Sequence, residues 1–446
     1  MTTSGFIGLF RRILPHSKYA KGVLTLMTGT GLAQAIPITL SPILTRLYTP
    51  EDFGVFGFYT SICAILAVFV TGKYELAIIV PRRDSEAVNL VAVAVGLSLL
   101  VSAVLLGIVL IWSEWIISLL GHPEVGSWLH LAPLTTLIVG CCFVLNLWTN
   151  RRARYKSMAA SRVVQRGVSV SVQLAAGMSK LGFLGLIVGQ IAGQFLSVLF
   201  LLKSLSFEEW RLFRHISIKR MIYVARKHIG YPWYMAPGRV MNVGSSELPL
   251  LLLTVFFDPD VAGYYYLARR VVEIPLSLVA GAIGDVYRQK AAEQYSNRGE
   301  CLSLFLASIK RLLLFAFLPM LPVVLFGPSL YSFVFGENWR VAGEIATLLS
   351  ILVFFQAVSA PLSTTILLPG WLRVDFLWQL AYIFLVGLAF YGGYTLTGEY
   401  MTPIMIYILF SSFLYILHSF FQYKAAQGKK VNQTDRNSYS RSDPHQ

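Results

Sequence analysis

Charged residues are what this chain has least of. Asp, Glu, Lys and Arg make up 13% of its 446 residues, against 56% hydrophobic ones, and the mean hydropathy is +0.63. Soluble domains carry about 25% charged residues, so a water-soluble fold is excluded and a bilayer-embedded one is left. Acidic residues are the scarcer sign, 22 against 37 Lys and Arg, for a net charge of +15. Such a surplus can mark nucleic-acid binding. Here its distribution assigns it to one side of a membrane and implies no nucleic-acid partner. The four cysteines give no disulfide framework: Cys63, Cys141 and Cys142 lie within apolar runs and Cys301 at the edge of one. Adjacent Cys141-Cys142 has neither zinc-site nor redox spacing. There is no Gly-x-x-x-x-Gly-Lys-Ser/Thr phosphate loop, no His-Glu-x-x-His, and no nucleophile with its base; the seven histidines are scattered. No catalytic site, metal or cofactor is expected, and the chain does not read as an enzyme.

What the chain has is apolar length. A span takes about 20 mostly apolar residues, and twelve stretches qualify: 22–44, 54–80, 87–112, 129–149, 158–178, 182–202, 229–257, 262–287, 301–326, 341–368, 374–393 and 403–423. The least apolar is 158–178, which carries Arg162, Arg166 and two glutamines. The expected fold class is an all-α integral membrane protein of about 12 transmembrane helices. With the N-terminus placed inside, 31 of the 37 Lys and Arg fall in inside segments. Arg46, Lys180 and Arg340 lie outside, and three remain in spans. That bias predicts an even number of spans with both termini cytoplasmic. Ala33-Gln34-Ala35 resembles a cleavage site, but the apolar run continues through Leu44, so the first span reads as uncleaved.

A short pattern occurs twice: Leu44-Thr45, Pro50 and Gly54, then Leu253-Thr254, Pro259 and Gly263, every pair 209 residues apart. Each copy ends one apolar run, makes an acidic Pro turn and starts the next run at the Gly. Thr49 and Asp258 are good N-caps, and Pro50 and Pro259 then take the first helical position, where the missing N–H costs nothing. Glu51, Asp52 and Asp260 favour the positive end of the helix dipole. The chain therefore reads as two related halves in the same orientation. The N-terminal lobe is 1–203, a basic cytoplasmic linker 204–228, the C-terminal lobe 229–423, and 424–446 a polar, disordered tail. The Phe207–Trp210 and Trp210–Phe213 spacings mark the linker as an interfacial helix on the inner leaflet, or simply as a connector.

Polar groups inside spans point to function, because an Arg at mid-membrane costs about 2.5–3.5 kcal/mol on insertion scales. Thr30, Gln34 and Ser41 form one stripe on span 1. Lys73 and Glu75 interrupt the end of span 2, where the Lys is either functional or an interface anchor. Span 7 carries Arg239, Asn242, Ser246 and Glu247, among Pro232, Pro237, Gly238 and Gly244. An irregular helix of this kind is tolerated where it lines a cavity. Arg239 and Glu247 are about 12 Å apart along the helix axis, which strains direct pairing. On span 8, Arg269 and Glu273 are i,i+4 and can neutralise each other, whereas Arg270 points about 100° away. Arg binds phosphate oxygens through paired hydrogen bonds, so Arg239 and Arg270 are the candidate anion ligands. At the 209-residue offset Thr30 corresponds to Arg239, Ser61 to Arg270 and Lys73 to Ala282; the arginine pair belongs to the second lobe. Gln190 and Gln194, near Gly193, read as helix–helix glue.

The stretch Pro42-Ile-Leu-Thr-Arg-Leu-Tyr-Thr-Pro-Glu-Asp-Phe-Gly54, followed by Gly72-Lys-Tyr-Glu-Leu-Ala-Ile78, resembles the polysaccharide-biosynthesis flippases. These are the Wzx-type translocases of O-antigen and exopolysaccharide. Leu248 to Leu252, Ala262 to Ala268 and Ile274-Pro-Leu-Ser277 resemble the matching part of their second half. The superfamily includes multidrug exporters and lipid II flippases. The resemblance implies two six-helix lobes forming a V around a cavity lined by spans 1, 2, 7 and 8. The implied substrate is a polyprenyl-pyrophosphate-linked oligosaccharide, O-antigen, exopolysaccharide or capsule unit, and transport is driven by a proton or sodium gradient. Arg239, Arg270, Gln34, Asn242, Lys73 and Arg269 are then the cavity residues, and Glu247, Glu273 and Glu75 the candidates for ion coupling. Implied partners are membrane lipids and the polymerase and glycosyltransferases of the same pathway, in a bacterial inner membrane. Lipid II flippases place arginines in span 1, where this chain offers only Gln34, which argues against peptidoglycan precursor. An ion-coupled multidrug exporter of the same fold, and a membrane glycan polymerase or glycosyltransferase, are the competing readings. The first would favour carboxylates in its cavity, and the second a sizeable external loop.

Overall fold

The computed structural model describes residues 18–120 and 125–428. Arg11, Arg12 and the tail beyond residue 428 lie outside the described residues. The first helices are α1 (Lys18–Leu47), α2 (Pro50–Phe69), the short α3 (Tyr74–Ala77), α4 (Asp84–Leu120), α5 (Val125–Leu129), α6 (Leu131–Arg151), α7 (Tyr155–Met178) and α8 (Phe183–Lys203). The linker holds α9 (Phe207–Leu212) and α10 (Ile218–Lys227). There follow α11 (Ala236–Phe256), α12 (Pro259–Arg298), α13 (Leu302–Phe335), α14 (Arg340–Ser359), α15 (Thr364–Leu367), α16 (Leu372–Thr397) and α17 (Met401–Ala426). Each of the twelve expected spans has a long helix among these, although 54–80, 229–257 and 341–368 each break into more than one helical segment.

Among the described residues, eight helices are long and apolar enough to cross a membrane: α2, α4, α6, α8, α13, α14 with its extension, α16 and α17. Their large apolar side chains stand outward in number, Leu100 and Ile111 on α4 and Phe384 on α16 among them. That inverts the soluble pattern and suits lipid. Four further helices have the length but are less apolar: α1, α7, α11 and α12. Three of these are the spans in which Gln34, Arg239 and Arg270 were singled out, and the fourth carries Arg162.

Two compact units divide at Gly263 and Tyr264. In the first unit, α7 lies against α1 and α8. Gly185, Gly189 and Gly193 make that approach possible: a Cβ on Gly193 would stand 2.3 Å from the Gln165 carbonyl oxygen, and one on Gly189 2.4 Å from Gln173 Cγ. Small residues every fourth position let helix backbones meet in a membrane, so the glycines do the joining here, whereas Gln194 Oε1 is buried with no partner among the described residues.

The repeated turn has a tertiary meaning that local rules miss. Thr49 caps α2 with a capping box: its Oγ1 accepts from Asp52 N at 3.2 Å, and Thr49 N donates to Asp52 Oδ2 at 3.0 Å. The two copies then touch each other. A Cβ on Gly54 would sit 1.8 Å from the Pro259 carbonyl oxygen, and one on Gly263 1.8 Å from that of Pro50. The contact is reciprocal, as a two-fold relation between the copies requires.

The linker is clamped to the first unit. Leu205 and Val224 join a buried cluster with Tyr74, Ile78, Leu90 and Trp148. Glu209 accepts from Ser206 N at 2.7 Å and Trp148 Nε1 at 3.1 Å, and pairs with Arg154 and, at 3.3 Å, with Arg152 Nε. Arg152 also reaches Asp84 at 3.1 Å, and Arg151 reaches Asp84 at 2.9 Å. These charges set the orientation in the sequence reading; the structure uses them to join α4, α6 and α9.

In the second unit, α14 packs on α13 and α17, and α16 on α17. Tyr287 and Thr365 hydroxyls lie 2.6 Å apart, and the His418 ring, stacked on Trp378, holds Ser359 and Gln422 through Nδ1.

Candidate substrate and coupling residues

The end of span 2 turns at Lys73, a non-glycine residue with φ of 61°. This turn buries Lys73 and Glu75 together, with Nζ 3.5 Å from Glu75 Oε1 and 5.7 Å from the Phe143 ring centre. Thr71 Oγ1 donates to the other Glu75 oxygen. The pair neutralises itself in place, as a buried charge must.

Span 7 is irregular as its prolines require: a wide π-type turn over Tyr231–Met235 leads into α11. Arg239 is exposed and its Nη1 donates to Asn242 Oδ1 at 3.0 Å. Glu247, two turns on, accepts from Ser61 Oγ of α2 at 2.7 Å. On α12, Arg269 Nε donates to Glu273 Oε1 at 2.9 Å, the expected i,i+4 pair. Arg270 instead leans on Tyr266, with Nη1 3.4 Å from the hydroxyl and the guanidinium 6.0 Å from the ring centre.

On α1, Gln34 Oε1 is buried with no partner among the described residues. One turn away, Thr30 Oγ1 accepts a hydrogen bond from Arg162 of α7. The sequence reading took Arg162 only as a blemish on a weak span. Its signal was that weakness: an Arg in an otherwise membrane-length helix needs a partner.

A cavity of about 290 Å³ in the second unit is lined by Glu273, Ser277, Asp285, Arg288 and Gln356, with apolar residues of α12 and α14. Of the predicted residues it contains Glu273. Arg288 was missed because α12 runs to Arg298, well past the expected span end at 287, and Asp285, inside that span, was passed over. Their spacing from Ser277 continues the same helical face. Among the described residues no group of three His, Cys, Asp or Glu is placed to hold a metal ion.

The polysaccharide biosynthesis protein family matches residues 43–344, most of the chain and both copies of the turn. This chain belongs to that family. Two relatives bear names from polysaccharide pathways. The teichuronic acid biosynthesis protein TuaB of Bacillus subtilis is 24% identical over 40% of this chain and 37% of its own length. The succinoglycan biosynthesis transport protein ExoT of Rhizobium meliloti is 22% identical over 73% of this chain and 63% of its own. The chain thus spans from about a third to just under two thirds of these relatives. Among solved structures, the lipid II flippase MurJ in an inward closed conformation has the same fold: TM-score 0.67, 12% identity, 90% of this chain and 86% of that one. With the apolar helices above, this family member is a multi-pass membrane protein of transporter fold.

Proposed function

We propose that this protein translocates a polyprenyl-pyrophosphate-linked oligosaccharide, an O-antigen, exopolysaccharide or capsule unit, by alternating access. The observation that carries the reading is that Arg239 and Arg270, both in less apolar membrane helices, rest on neutral partners, the Asn242 amide and the Tyr266 hydroxyl. A guanidinium without a carboxylate neighbour in a membrane helix is costly and is suited to bind phosphate oxygens. The cavity beside Glu273 supplies carboxylate, amide, hydroxyl and guanidinium groups fit for sugar hydroxyls, while the lipid chain stays in the bilayer. A proton or sodium gradient drives the cycle, with Glu247, Glu273 and Glu75 as the ion-coupling groups. The reciprocal contact of Gly54 and Gly263, with the Ser61–Glu247 bond, is one that the cycle makes and breaks. Both termini face the cytoplasm of a bacterial inner membrane, where the glycosyltransferases supply the substrate and the polymerase consumes it. The names of ExoT and MurJ support a transport role in such a pathway.

The test is surface glycan in cells carrying single variants. Arg239→Ala or Arg270→Ala is expected to abolish surface polysaccharide while the protein still reaches the membrane at normal abundance. Normal glycan in both would overturn the assignment.

A further inference from the structure

The linker between residues 204 and 228 has an outer face that the transport cycle does not use. Its helix α10 is held at a fixed rotation: Val224 is buried in the core of the first unit, Tyr74 Oη donates to the Ala225 carbonyl at 3.1 Å, and Lys227 Nζ meets Glu86 at 2.9 Å. Asn89 bonds both ends of the preceding turn, accepting from Ser217 N at 3.1 Å and donating to the His215 carbonyl at 3.2 Å. At 100° per residue, Met221, Val224, Ala225 and His228 form the face turned to the unit. Ile218, Ile222 and Ile229 continue the same apolar stripe beyond it. They stand 75%, 50% and 47% exposed. Phe207 and Trp210 of α9 are exposed likewise. Lys219 and Arg226, both exposed, flank the stripe on its far side. Half of one apolar face is thus covered by protein, half is open, and a basic border lies next to the open half.

We propose that this face docks on anionic phospholipid of the adjacent leaflet. The isoleucines enter the acyl boundary, and Lys219 and Arg226 lie among the headgroups. An apolar stripe bordered by cations is the pattern of a helix lying in the interface plane, and each added cation strengthens attraction to an anionic surface. Because α10 is bonded to α3 and α4, the leaflet becomes part of what holds the linker in place. The proposal is independent of the substrate transported.

The experiment uses the whole protein carrying Ile222→Cys labelled with bimane; Cys63, Cys142 and Cys301 are buried and Cys141 half-buried. Phosphatidylglycerol and, separately, phosphatidylcholine are titrated into the detergent-solubilised protein. Phosphatidylglycerol is expected to shift the label to the blue and shield it from a water-soluble quencher at lower concentration than phosphatidylcholine. Lys219→Glu with Arg226→Glu is expected to raise the half-saturating phosphatidylglycerol concentration by about tenfold or more, and salt to do the same in the unsubstituted protein. Equal titration by the two lipids, or an unchanged midpoint in the double variant, overturns the proposal.

Discussion

Gly54→Ala and Gly263→Ala are each expected to stop glycan export. The added methyl would stand 1.8 Å from a carbonyl oxygen of the facing turn, where contacts under 3.0 Å do not occur, so the crossing must part by more than about an ångström. Overpacking of this kind costs about 1–3 kcal/mol, a shift of roughly 5- to 150-fold away from the state in which the turns touch. The sign is informative, because Ala favours an isolated helix over Gly by about 1 kcal/mol; loss of export therefore reads the crossing and not the helix. Gly107→Ala, with nothing within 4 Å of the added carbon, is the control expected to behave as the natural protein. Surface polysaccharide, normalised to membrane abundance, decides it: normal export in both variants would remove the crossing from the cycle.

Glu209→Ala is expected to be the most destabilising change in the linker. The residue is 4% exposed, and its removal strips Arg152 and Arg154 of their shared carboxylate. Breaking one side of a buried pair costs about 3–5 kcal/mol. Burial alone would raise the carboxyl, but the Ser206 N–H and the Arg154 guanidinium outweigh it and hold Glu209 below its ordinary value. A depressed carboxyl stabilises the fold fully above its unfolded value, and that contribution fades as pH falls through the folded one. Thermal unfolding in detergent should therefore show a gap between the natural protein and Glu209→Ala that is constant near neutrality and narrows only in acid below the usual carboxylate range. A gap that does not change in acid would refute the assignment.

Much of the fold was legible because its signals are local. Twelve apolar stretches and a repeat at a fixed offset need only the sequence, and the Arg269–Glu273 pair follows from helical spacing. What stayed hidden depends on partners distant in the chain. Thr30 and Arg162 are 132 residues apart, and Ser61 and Glu247 186; no periodicity connects them. The clamp of Asp84, Arg151, Arg152, Arg154 and Glu209 was visible only as charge, because positive-inside counting weighs residues without asking what they touch. The face joining Ser277 and Asp285 to Arg288 was cut by a boundary drawn where hydropathy fell, although the helix itself continued.

The glycine seam of α8 bears on how the chain is made. Helix α7 emerges from the ribosome first, carrying Arg162 and Arg166 and too little apolar surface to be held by lipid on its own. Helix α1 offers α7 one surface beforehand, but the glycine seam that accepts its other side, Gly185 to Gly193, is synthesised only afterwards. The two are therefore expected to enter the bilayer as one hairpin, with α7 waiting at the translocon until α8 arrives. A nascent chain arrested with α7 but not α8 clear of the ribosome should leave a cysteine placed in α7 open to a water-soluble thiol reagent, and one arrested with both clear should not.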